Sequence, residues 1–458
     1  MRLGAFAGSL ILMLIGTLGC QRGDASAEKG RKQAVGYACL PGARASQHKN
    51  LRREIAKLDK LHMTPVMLEQ QRKPLVPFSK VQSSEGLVGD QNAWNGDVSD
   101  AEWARLHRRW QRLVAGTPQL PSLNFFCSSS IRKFEEDYSA VRRGLRHQHG
   151  HAFLQFTMPP SEGLLVDLSF VDKIQVYLAW EQIHAVHAFS TNRQQDVMAA
   201  FHSLFEMIHQ LAHVQHVIPR LQAAECRRVT CALLQQMIAS RPFRSSDYAQ
   251  MRSWFRRQLD LWPRDRDLLI ADRAQTLHTY ELIRDGYMAS ILTADELQHY
   301  GEIGVMDRMQ SAASRIDSDQ YFYLRMMDEI IRDIELTYEQ RQQRSRMRLE
   351  KYSRMQEEPE YPAIAIHLFL TDVESLQRRL ALDRAVCESW HLGLSTTLGA
   401  STEAVSLNQL TGKPYVVTND ERAIYIWGTN GLGDQPIAVP WPRSSGVKRT
   451  SGLETRIR

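Results

Sequence analysis

The chain has 458 residues, 43% of them hydrophobic and 24% charged, with a formal net charge of +6 at pH 7. This is the balance of a globular protein, long enough for two or three domains or one long helical array. Arg2 supplies one of the six positive charges, and Arg443, Lys448, Arg449, Arg456 and Arg458 against Glu454 supply a net four. The body is therefore close to neutral and lacks the basic surface of a nucleic-acid-binding protein.

Met1-Arg2 precedes an uncharged run from Leu3 to Leu18 with its apolar centre at Leu10–Ile15, followed by Thr17-Leu18-Gly19-Cys20. This is the layout of a secretory signal peptide: a short positive start, an apolar stretch and a small-residue exit. A cut after Ala25-Ser26-Ala27 is one alternative. An uncleaved anchor is another, since about 18 uncharged residues are at the lower edge of a spanning helix. Gly19-Cys20 resembles the lipobox of bacterial lipoproteins, with Thr17 and Leu18 standing where that family favours Leu and a small residue. The resemblance implies a signal peptide over 1–19 and a diacylglyceryl thioether on Cys20. With Gln21 rather than Asp next, it also implies anchorage in the outer membrane, facing the periplasm. A cell-membrane anchor and secretion are the other destinations open to the signal.

Residues 20–98 are expected to be tether and loop: polar and glycine-bearing to about residue 45, a short helix over 47–62, then Pro65, Pro74 and Pro77. The helical body spans 99–394. Ser99-Asp100-Ala101-Glu102 reads as a capping box ahead of Trp103, Leu106, Trp110 and Leu113. Ser130 is expected to cap a helix to about residue 149, and a strand pair is expected around Pro159-Pro160, within 151–168. A helix follows from Ser169 to about Phe189. Over 195–216, Val197, Phe201, Leu204, Phe205, Ile208, Leu211 and Ala212 fall within about 120° of one helix face. Helices at 221–239, 246–261 and 265–285 come next, punctuated by Pro219 and Pro263, and Thr293–Glu296 is a second capping box. The longest helix is expected from Asp317 to Met355, roughly 58 Å at about 1.5 Å per residue, and another from Pro362 to about Leu394.

Residues 395–442 form a small module in which Tyr415–Val417 and Ala423–Trp427 flank Asn419-Asp420 as a β-hairpin. Residues 443–458 read as a disordered basic tail. The fold class is thus mainly α: a multi-helix array or bundle with a small C-terminal β-hairpin module. Residues 171–285 resemble the helical body of a set of exported bacterial proteins. Leu407-Asn408-Gln409-Leu410-Thr411-Gly412-Lys413-Pro414-Tyr415, with Tyr425–Gly431, resembles their C-terminal module and the tails of type II secretion major pseudopilins. Those tails carry Asp-Pro where this chain has Asn408-Gln409, and a calcium-holding loop of which only Asp434 remains.

Beyond Cys20, five scattered cysteines (Cys39, Cys127, Cys226, Cys231 and Cys387) make neither a disulfide scaffold nor a CxxC site. Cys226 and Cys231 are roughly 140° apart on a helix, which disfavours a bond between them. Six histidines crowd into 33 residues: His184, His187, His202, His209, His213 and His216. Glu181/His184 and Glu206/His209 have the Glu-x-x-His spacing of half a di-iron site, and His209/His213 the i, i+4 spacing of ligands to one ion. In a hairpin turning near Thr191, however, facing residues sum to about 382, which sets His184 against Met198 and not His209. No metal or other cofactor is expected, and Glu206, His209 and His213 are the residues that would hold one.

Neither Gly-x-Ser-x-Gly nor His-Glu-x-x-His occurs. Ser128-Ser129-Ser130 reads as a helix cap rather than a nucleophile, and Trp103, Trp110 and Trp254 as core rather than a sugar groove. The acids of 317–335 and the bases of 341–354 suit a soluble helix, or offer a basic surface to a partner or anionic lipid. The expectation is a membrane-anchored extracytoplasmic helical protein, structural or protein-binding, held to the membrane by its lipid and engaging a protein partner but no nucleic acid. An envelope enzyme with a metal or hydrolytic site in the helical body is the alternative.

Overall fold

The computed structural model describes residues 37, 40–58, 100–115, 119–148, 164, 168–400, 407–428, 436–442 and 455–456. The signal segment with Cys20, the capping Ser99, the strand pair of 151–168 (apart from Leu164 and Leu168) and the glycine-rich loop with Asp434 lie outside them. The protein is mainly α, with fourteen α-helices and a small antiparallel sheet among the described residues. The first helices are α1 (Pro41–Ala45), α2 (Lys49–Leu58), α3 (Asp100–Val114), α4 (Leu120–Gln148) and α5 (Ser169–Ser190). Then come α6 (Gln194–Ala212), α7 (Val217–Ser240), α8 (Ser245–Asp260), α9 (Asp265–Arg284), α10 (Ala294–Glu302) and α11 (Val305–Ala313). The last are α12 (Ile316–Asp333), α13 (Tyr338–Met355) and, after a π turn at Ala365–Leu370, α14 (Val373–Thr397).

The apolar side chains form two large cores. The first joins α3–α8, the C-terminal half of α14 and the strand Ile437–Pro440. All seven residues of the stripe on α6 are buried there, the six larger than alanine each stabilising the fold by roughly 1.5–3 kcal/mol. Met198, Ser203, Glu206 and His209 are buried too, so α6 is enclosed on more sides than its stripe implies. The α5–α6 hairpin turns through Asn192 at φ 60°, a left-handed position that asparagine tolerates. Tyr177 faces Ser203 across it, hydroxyl to hydroxyl at 2.7 Å, within a residue or so of the expected register. The second core joins α1, α2, α9–α12, the π turn and the N-terminal half of α14. Among the described residues α7 and α14 run through both: Val217 and Leu221 of α7 pack on the second core and Leu233 and Met237 on the first, while α14 places Leu376 and Leu380 in the second and Trp390 and Leu394 in the first.

Strands β1 (Val416–Asn419), β2 (Ala423–Trp427), β3 (Ile437–Pro440) and β4 (Thr455–Arg456) form a sheet in the order β3-β2-β1-β4. The hairpin registers Val417 on Ile426 and Asn419 on Ile424. The sheet lies on α14 at Gly393, where a Cβ would come within 2.7 Å of Val439 Cγ2, so the missing side chain sets the approach.

Several expectations are corrected. The single helix over 317–355 is two, because Thr337 accepts from the Gln340 amide while the Gln340 side chain accepts from the Thr337 amide, a capping box that starts α13 afresh. The Gln409 and Leu410 carbonyls take the free amides of Tyr338 and Glu339, both at 3.1 Å. Ser130 is no cap: α4 begins at Leu120, with Pro121 in the first turn where its missing N–H costs nothing. α7 likewise starts at Val217 and carries Pro219 in its first turn. The helix from Pro362 is interrupted by the π turn, whose start is held by the Asp319 carboxylate accepting from the Ile364 and Ala365 amides. The tether is shorter than residue 45: Leu40 is buried, and Glu281 caps α1 by accepting from the Gly42 and Ala43 amides. The basic tail is not free throughout, since Thr455 and Arg456 pair with Val417 and Val416.

Candidate functional site

The histidine-rich hairpin does not assemble one centre. Glu206 is taken by Arg257, Oε1 to Nη1 at 3.2 Å. The His209 and His213 rings meet edge to face at 4.2 Å, and His213 Nδ1 lies 2.8 Å from the His209 carbonyl. Burial, then His213 and the guanidinium groups of Arg227, Arg257 and Arg220, push His209 down to about 3. Its surroundings therefore repel a cation. His216 Nδ1 accepts from the Ile218 amide as the cap of α7, and His202 stacks on Trp254. His209 and His216 are buried. Among the described residues no three His, Cys, Asp or Glu side chains are grouped to hold a metal ion.

The one serine–histidine pair that the triple serine supplies is Ser128 Oγ to His187 Nδ1, at 3.2 Å. Burial, then Arg193, lowers the pKa of that imidazole. No carboxylate among the described residues hydrogen-bonds it. Both residues sit inside helices, where backbone amides are spent on the helix and no oxyanion hole is left. The arrangement orients a side chain but is not built for acyl transfer.

Between the two cores lies a buried charged seam that the sequence reading missed. Arg220 and Arg227, seven residues apart on one face of α7, both reach the Trp262 ring, each guanidinium carbon 5.0 Å from its centre. Arg220 donates to the Ala212 and Pro263 carbonyls and to Asp265. Arg227 donates to Asp383 of α14 and to Gln258. Burial, the largest single influence, would depress the Arg227 guanidinium, but the charge and hydrogen bond of Asp383, together with Cys387 and Cys231, hold the group above its usual range. The only sequence signal was the spacing of two arginines among small apolar residues. Nearby, Cys226, Cys231 and Cys387 are free thiols. Burial pushes Cys226 and Cys387 up to about 12, so they are unreactive. Trp110 and Trp254 are core residues, as expected.

Two surface features remain. A cleft of about 260 Å³ lies between α3 and α4. Leu106, Phe126 and Phe134 form its floor, Arg105, Arg109 and Lys133 its rim, and Phe125 stands at the lip, 79% exposed. The second feature is the outer face of α13. This helix is held by a narrow stripe, Tyr338, Arg341 and Tyr352, that is buried. It turns Met347 (65% exposed) outward beside Arg346, Lys351 and Arg354, while Leu349 (43% exposed), about 160° further round the helix, flanks the buried stripe near Tyr352. Arg344 and Arg348 are tied to Asp333 of α12, whereas Arg346, Lys351 and Arg354 make no ion pair among the described residues. No protein-family model, curated protein or solved structure matches the chain.

Proposed function

We propose that this is a membrane-anchored extracytoplasmic protein whose helical body presents a binding surface to another protein of the cell envelope. The observation that carries the reading is the outer face of α13, where the exposed Met347 sits among Arg346, Lys351 and Arg354, three cations with no ion-pair partner among the described residues. Exposed apolar groups rimmed by charge mark contact surfaces, and the cations favour an acidic partner. The Gly19-Cys20 exit supports the anchor and Gln21 supports the outer membrane.

The test is site-specific photo-crosslinking in cells from a reactive amino acid at Met347. A discrete crosslinked protein, lost when Arg346 and Lys351 are both changed to Glu, is the expected result. No adduct at Met347 would overturn the reading.

A further inference from the structure

The α3–α4 cleft is a second site, distinct from the α13 face, and its chemistry is more specific. Its floor is apolar and aromatic, and its rim carries three cations and one carboxylate. Lys133 lies over Phe134 at 4.7 Å and pairs with Glu102 at 2.9 Å, so that carboxylate is already matched. Arg109 lies over Phe126 at 5.1 Å, and neither it nor Arg105 has an ion-pair partner among the described residues. The cleft therefore offers two unmatched guanidinium groups above a hydrocarbon-lined trough.

A peptide fits this trough poorly. A helix is about 10–12 Å across, so a cleft of this volume would hold less than one turn of it. An extended strand would bring backbone N–H and C=O groups against two helices whose own backbones are spent, at a cost for each group left unpaired. Among the described residues Ser129 and the buried Ser130 are the only neutral polar side chains on the wall. A hydrocarbon chain has no such groups to satisfy. The volume of about 260 Å³ falls just below the roughly 300 Å³ lower end of small-molecule sites, which suits one acyl chain and not a two-tailed lipid. An arginine fork is the best protein match to a carboxylate.

We infer that the cleft between α3 and α4 binds a single-chain fatty acid, its carboxylate held by Arg105 and Arg109 and its chain laid over Leu106, Phe126 and Phe134 beneath Phe125.

The experiment titrates the purified full chain with dodecanoate carrying a ¹³C-labelled carboxyl, followed by NMR below its micelle-forming concentration. Dodecyltrimethylammonium, with the same chain and opposite charge, is the comparison. Saturable binding near one dodecanoate per chain is expected, at least tenfold tighter than the cation. Changing Arg105 and Arg109 together to Glu should weaken dodecanoate at least tenfold, and changing both to Lys should restore most of the loss. Both arginines are exposed, and an unchanged circular dichroism spectrum of the Lys pair confirms the fold. Absence of saturable dodecanoate binding, equal binding of the two amphiphiles, or indifference to the Glu pair would each overturn the inference. So would a twelve-residue Glu/Leu peptide that displaces dodecanoate and binds more tightly. None of these outcomes touches the α13 face, so the proposed function stands or falls separately.

Discussion

Asp383→Ala is the substitution from which the seam between the cores predicts the largest effect. Asp383 and Arg227 are both buried, and the carboxylate is the only anionic partner of that guanidinium among the described residues. Removing it leaves Arg227 charged in a dry interior with Gln258 as its remaining hydrogen-bond acceptor. Breaking a buried pair in this way costs about 3–5 kcal/mol. Arg227→Met with Asp383→Leu removes both charges and fills similar space, which is about neutral or stabilising by ~1–4 kcal/mol. Urea unfolding, followed by tryptophan fluorescence and by circular dichroism, is the assay. Trp110, Trp180, Trp254 and Trp390 report the first core, which has all four. The single variant should lose stability in the fluorescence transition and separate it from the helical one, and the double variant should restore coincidence. A loss below about 1 kcal/mol in Asp383→Ala would show that Arg227 reaches water and that the seam does not couple the cores.

Acid should weaken the fold through its buried histidines. His209 is pushed down to about 3, and His216 and His391 to about 4, burial being the first cause in each. Between these values and about 6.5 the unfolded chain binds more protons than the folded one, so stability falls as pH drops through that window. His209→Gln should flatten the dependence of urea midpoint on pH between 4 and 6.5, and an unchanged slope would contradict its burial as a neutral ring. At Gly393, Val should overpack against Val439 and cost about 1–3 kcal/mol, with Val439→Ala recovering part of it; thermal melts of the two single variants and the pair that simply add would show that helix and sheet do not touch there.

Local chemistry was legible in the sequence where one segment decided the outcome. Thr293 and Glu296 form the capping box that their spacing announces, and the stripe on α6 and the 416–427 hairpin follow from periods of 3.6 and 2. The break at Thr337 escaped because its box lies inside an unbroken charged helical pattern, and because the Gln409 and Leu410 carbonyls that complete it come from a distant loop. Ser130 misled because a cap and a buried mid-helix serine look alike until the helix start at Leu120 is known. The seam and the cleft depend on which helices become neighbours. Arg227 meets Asp383 across 156 residues, and periodicity within one helix carries no information about the other.

We propose that Cys20 holds the body at a membrane, and metabolic labelling with a fatty-acid analogue is the decisive measurement. The wild-type chain should incorporate the label and sediment with the outer membrane, whereas Cys20→Ser should carry no label and leave the membrane fraction. Label retained in Cys20→Ser, or a wild-type chain that is unlabelled and soluble after export, would contradict the account.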